Sequence, residues 1–169
     1  VLTAGHCQSN PVAVRIDVTD LTSDAGELIN VQESWVYPDF LNTLDILLLQ
    51  LETPANAAPR PIAVDCLADN YIVNGTRVHI VGFGATDVDG LALSDVLMDA
   101  STEITDATCS AIGKDCNAEV VPFGELIAGG EGIDSCVRDS GGPLYATTPH
   151  GEYLVGLTSR GVKPAKTPC

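Results

Sequence analysis

The 169 residues, 45% of them apolar, are enough to bury one or two hydrophobic cores, and no apolar run reaches the roughly 18–20 residues that a bilayer-spanning helix needs. Twenty-three acidic residues against 8 basic ones, scattered rather than blocked, give a formal charge of −15 that repels phosphates and argues against a nucleic-acid partner. A solvated acidic surface accounts for this charge, and attraction of basic substrates is the sharper reading.

In chain order, the first strand signal is Val12, Val14, Ile16 and Val18 alternating with Ala13, Arg15 and Asp17, the period of a half-buried strand. Residues 46–51 form a short continuous apolar run. Residues 52–69, with Pro54, Pro59 and Pro61, lack alternation and read as a linker crossing the surface. Asn74-Gly75, between Ile72-Val73 and Arg77-Val78, suits a tight hairpin turn, a reading preferred to the glycosylation sequon it forms with Thr76. Val78 and Ile80 mark the next strand. After it, Val96, Met98, Ala100, Thr102 and Ile104 share one face opposite Asp99, Ser101 and Glu103. Helical periodicity is confined to residues 106–112, and Tyr153, Val155 and Leu157 close the pattern with a last strand. Short strands about 10 residues apart with turn residues between them predict an all-β sandwich or barrel, and a two-lobed β protein would place the Pro-rich segment between its lobes.

The cysteines, at positions 7, 66, 109, 116, 136 and 169, fit neither a CxxC pair nor a zinc-finger spacing. Disulfides, and hence an oxidising compartment, are the expectation. The chain opens on Val1-Leu2-Thr3 as if in mid-strand and stops at a cysteine, so truncation at both ends is expected.

Three signatures stand in one order: Leu2-Thr3-Ala4-Gly5-His6-Cys7, then Asp45-Ile46-Leu47-Leu48-Leu49, then Asp134-Ser135-Cys136-Val137-Arg138-Asp139-Ser140-Gly141-Gly142-Pro143-Leu144. Together they closely resemble the trypsin (chymotrypsin-fold) serine proteases. The likeness runs over essentially the whole chain and includes Tyr37-Pro38 and Val81-Gly82-Phe83-Gly84. It implies a two-lobed antiparallel β-barrel fold truncated at both ends. Residues 1–60 would hold the remainder of the N-terminal lobe and the start of the linker, and residues 61–169 the rest of the linker and most of the C-terminal lobe.

The same resemblance implies a secreted or periplasmic serine endopeptidase with His6, Asp45 and Ser140 as its catalytic triad. A serine hydroxyl is a poor nucleophile until a base takes its proton, and the base needs a carboxylate to fix its tautomer, which is why these residue types occur together. His79 and His150 match no motif and are read as structural. The backbone N–H groups of Arg138 and Ser140 match the family's oxyanion hole, although the family normally has glycine where Arg138 stands. Asp134, six residues before Ser140, resembles the acid at the base of trypsin's specificity pocket, which would select Arg or Lys in the substrate. Ser135, Ser159 and Gly161 match other pocket residues. Arg160 replaces the tryptophan usual between the last two, and it would either narrow the neighbouring subsites or fold over and compete for Asp134.

Asp139 matches the aspartate that pairs with the new amino terminus when the family's precursors are activated. The cysteine pairs implied are Cys109 with Cys116, a local substitute for a family bridge, and Cys136 with Cys169, leaving Cys7 and Cys66 unpaired in this chain. No cofactor and no metal are expected. Asp17, Asp20, Asp24 and Glu27 lie where some relatives bind calcium, the weaker reading here, since solvated acids explain the same residues. The partners implied are polypeptide substrates basic at the cleavage site, protein inhibitors and an activating protease. The competing reading is a non-catalytic protease homologue serving as a binding module, for which Arg138 and Arg160 speak and against which the intact His6, Asp45, Ser140 set speaks.

Overall fold

The computed structural model describes residues 1–9, 11–42, 44–110, 116, 124–130 and 132–162. It consists of two antiparallel sheets. The first has four strands in the order β1-β4-β3-β2, with β1 Leu2–Thr3, β2 Ala13–Ile16, β3 Glu27–Val36 and β4 Leu47–Leu51. The second has five in the order β7-β6-β5-β8-β9, with β5 Arg77–Gly82, β6 Met98–Asp106, β7 Ile127–Ala128, β8 Pro143–Thr148 and β9 Gly151–Leu157. This mostly-β, two-sheet architecture agrees with the expected fold class.

Alternation explains the strands that the sequence displayed. In β4, Leu47 and Leu49 are buried while Leu48 between them is exposed, so the continuous apolar run covers only one buried face. Along β6, burial rises from exposed Met98 through half-buried Ala100 and Thr102 to Ile104 at 1% exposure. Val78, Ile80, Ile104, Leu144 and Ala146 make the core of the second sheet. The first strand is shorter than expected. Val12 is exposed, and Asp17 takes φ +55°, leaving extended geometry where the alternation would have continued.

Three expectations are corrected. Residues 66–69, read as linker, open the helix α1 Cys66–Tyr71. Asn74-Gly75 does form a turn, closed by the Thr76 N–H to Val73 carbonyl bond (3.1 Å) with Gly75 at φ +84°, but it joins α1 to β5 and is not a hairpin between two strands. The helical pattern over residues 106–112 begins at the end of β6, and residues 107–110 are turn and irregular chain. Ile112 lies outside the described residues.

The connections bring the two sheets together around β1. Gly141, at φ +79°, lies so close to Thr3 and Ala4 that a Cβ there would collide with the Thr3 hydroxyl. Thr3 Oγ1 donates to the Gly141 carbonyl (3.4 Å), and Cys7 Sγ approaches the Ser140 carbonyl (3.8 Å). The turn carrying Ser140 is therefore packed on the segment that carries His6.

Candidate active site

His6 stands in a single 3-10 turn, Gly5–Cys7, directly after β1, and Asp45 precedes β4, which pairs with β1. The strand pairing thus sets the two residues side by side. Gly5 is buried, and a Cβ on it would press on Asp45 Oδ1 and Phe40 at 3.0 Å, so its missing side chain lets the carboxylate approach the turn. Asp45 takes hold of His6 twice. The His6 backbone N–H donates to Oδ1 (2.8 Å), and ring Nδ1 lies 2.7 Å from Oδ2.

Ser159 Oγ donates to the same Oδ2 at 2.6 Å. Burial works most strongly against ionisation of Asp45, but the hydrogen bonds from Ser159 and His6, together with the His6 charge, outweigh it and hold the carboxyl below its ordinary range. A carboxylate can only accept, so Nδ1 is the nitrogen that carries the proton in the neutral ring, which leaves Nε2 with the lone pair in that form. The Cys7 thiol next to His6 is pushed up by burial and by the Asp45 charge.

His6, Asp45 and Ser159 line a cleft of about 530 Å³ together with Phe40, Leu41 and Arg160. Arg160 does not turn to Asp134. Its Nη1 and Nη2 make a forked pair with Glu125 Oε1 and Oε2 at 2.7 and 2.6 Å, and Nη1 also donates to Ser159 Oγ (3.3 Å). Glu125 lies 35 residues from its partner in a segment with no motif, so no sequence signal pointed to it.

Ser140 is exposed at the end of a turn over residues 136–139, closed by the Asp139 N–H to Cys136 carbonyl bond (3.1 Å). Arg138, third in that turn, has φ +75°, a region that glycine occupies freely and a residue with a Cβ rarely enters. Asp139 is half-buried. Its Oδ1 accepts the Gly84 N–H and its Oδ2 the Cys136 N–H, both at 2.9 Å, and a Cβ on Gly82 or Gly84 would collide with its carboxylate.

Asp134 stands apart from the cleft lining. Its Oδ1 accepts the N–H of half-buried Ser135 (2.8 Å) and lies against Gly129. The residue as a whole is exposed, yet partial burial of its carboxyl outweighs that hydrogen bond and pushes the group up. Gly161 is exposed beyond Arg160. Cys109 and Cys116 are bonded, with Cα atoms 5.8 Å apart. Cys136 is also in a disulfide, and its expected partner Cys169 lies outside the described residues. Cys7 and Cys66 are free thiols. In the acidic loop, Asp20 Oδ1 is spent on the Thr22 backbone and hydroxyl, and Glu27 accepts the Asn56 N–H. Among the described residues no three acids, histidines or cysteines gather as metal ligands. His79 sits on the sheet face between Asp99 (3.2 Å) and Ser101 (3.3 Å).

Two antiparallel sheets meeting beside a His-Asp pair, with a glycine-rich serine turn packed on the histidine's own segment, define a chymotrypsin-fold protein of the serine protease class. A family model described as Trypsin matches residues 1–169, and the chain belongs to that family. It is 32% identical over 172 residues to Trypsin iota of Drosophila melanogaster, covering 98% of this chain and 66% of that protein, so it spans just under two thirds of that relative. The solved structure of neuropsin, a serine protease expressed in the limbic system of mouse brain, superposes with a TM-score of 0.74 at 27% identity, over 99% of this chain and 74% of that one.

Proposed function

We propose that the protein is a secreted serine endopeptidase that cleaves after Arg or Lys through an acyl-enzyme. The single observation that carries this reading is the two-point hold of Asp45 on His6, which leaves Nε2 as the free base. In the proposed reaction, Ser140 Oγ attacks the scissile carbonyl carbon as its proton passes to His6 Nε2, and the carbonyl π electrons move to oxygen. The backbone N–H groups of Arg138 and Ser140 receive that oxyanion. Collapse breaks the C–N bond while His6 returns the proton to the departing amine, and water then releases the acyl group by the same route in reverse.

Asp134 is the proposed selector of a basic side chain, since a partly buried carboxylate pairs with guanidinium or ammonium. Secretion is supported by the bonded cysteines, which persist in oxidising compartments. No helix among the described residues is long and apolar enough to cross a membrane. Polypeptides basic at the cleavage site are the proposed substrates. Protein inhibitors and an activating protease are the proposed partners, with Asp139 as the group engaged on activation and residue 60 as the boundary near which one lobe gives way to the other.

The test is hydrolysis of matched peptides differing only in the residue before the scissile bond, by the full-length protein and its Asp134→Ser variant. The proposal expects Arg and Lys to be preferred, and the variant to lose that preference more than it loses turnover of a neutral substrate. A wild-type preference for Phe, Leu or Ala would overturn the assignment of Asp134.

A further inference from the structure

Glu125, Arg160, Ser159, Asp45 and His6 form an unbroken line of hydrogen bonds from the rim of the cleft to the imidazole. The direction of each bond follows from what the groups can do. A guanidinium only donates, a carboxylate only accepts, and a serine hydroxyl has one proton to give. The Ser159 proton points at Asp45 Oδ2, and Arg160 Nη1, donating into the Ser159 oxygen, polarises the hydroxyl and strengthens that donation. Glu125 grips both Nη atoms and so fixes the plane of the guanidinium, although the Arg160 side chain is 46% exposed.

We infer that Arg160, oriented by Glu125, is a positioning residue that strengthens the Ser159 donation to Asp45 and thereby sets how strongly Asp45 attracts the His6 proton. This rests on the endopeptidase reading above. It assigns to Arg160 a role other than narrowing a subsite or competing for Asp134. The titratable and charged groups near His6 among the described residues are Asp45, the Cys7 thiol on the same turn, and Arg160, which lines the same cleft and is paired with Glu125.

The sign of the effect separates this account from simple charge. If Arg160 is removed, or is turned away by loss of Glu125, the Ser159 hydroxyl is less polarised and donates more weakly to Asp45. Asp45 then becomes more basic and stabilises the His6 imidazolium better, so the His6 pKa rises. Through-space charge predicts opposite shifts, a rise on losing the Arg160 cation and a fall on losing the Glu125 anion.

The experiment is a 15N NMR titration of the His6 ring in the full-length protein, comparing Arg160→Leu, Glu125→Ala and the same changes in a Ser159→Ala background. We expect both single variants to raise the His6 pKa by about 0.5 unit and neither to shift it once Ser159 is gone. Shifts of opposite sign, no shift, or shifts that persist without Ser159 overturn the inference. Glu125→Ala alone decides the sign if the Arg160 variant does not fold. The titration needs no turnover, so failure of the endopeptidase reading, seen as absent hydrolysis, remains distinguishable from failure of this one.

Discussion

Asp45 binds His6 through both of its carboxylate oxygens, Oδ1 to the backbone N–H at 2.8 Å and Oδ2 to ring Nδ1 at 2.7 Å. One contact places the turn and the other sets the tautomer. Asp45→Asn keeps the shape but presents an amide that can donate toward Nδ1, which favours the ring with its proton on Nε2 and removes the base. Peptide hydrolysis by the full-length protein should fall about 10⁴-fold, the loss this change causes in the serine protease template. A loss under tenfold would mean that His6 is not oriented by Asp45 during the reaction.

The same pair predicts a pH effect on stability. The Asp45 carboxyl is held below its ordinary value in the folded state by Ser159 and His6, against the opposing effect of burial. Its contribution is therefore fully present above the unfolded value of about 3.9 and is lost as pH falls through the lower folded value. Thermal melts should show wild type losing stability faster than Asp45→Asn below about pH 4. Parallel curves would show that the group does not titrate differently on unfolding.

Gly82 and Gly84 leave the space that the Asp139 carboxylate fills, and Gly84 also supplies one of its two N–H donors. Gly84→Ala puts a Cβ onto the Asp139 carboxylate, which the Gly84 and Cys136 N–H groups hold in place. It should cost about 1–3 kcal/mol by denaturant unfolding, the usual penalty of overpacking. A neutral result would show that Asp139 can swing away without loss.

Arg138 occupies φ +75° in the turn before Ser140. Arg138→Gly relieves a left-handed conformation worth about 1–2 kcal/mol but loosens the unfolded chain by about 0.4–1 kcal/mol, so a net gain of about 0–1.6 kcal/mol is expected from urea unfolding. The same variant should bind rigid protein inhibitors more tightly while changing turnover of a small amide little. A rise in turnover of several orders of magnitude would show that Arg138 had been disrupting the proposed oxyanion donors.

Strands with period-two alternation, such as β6, were legible in the sequence because one face meets the core and the other meets water. β3, the longest strand, was not, since along Glu27–Val36 only Ile29 is fully buried while Leu28 and Trp35 are exposed, which erases the pattern. α1 is too short at 6 residues to show a helical period, and Pro54, Pro59 and Pro61 ahead of it read as linker. The positive φ of Arg138 was foreshadowed by its replacement of a glycine in the motif. The Glu125–Arg160 pair was not, because an ion pair across 35 residues leaves no local trace.

Whether Ser140 is a nucleophile activated by His6 is decided by reaction of the full-length, activated protein with a fluorophosphonate probe. Covalent labelling at Ser140 is expected, found by peptide mass mapping and abolished in both Ser140→Ala and His6→Ala. An intact, folded protein whose Ser140 stays unlabelled, or labels equally well without His6, would contradict it and leave a non-catalytic member of the family as the better description.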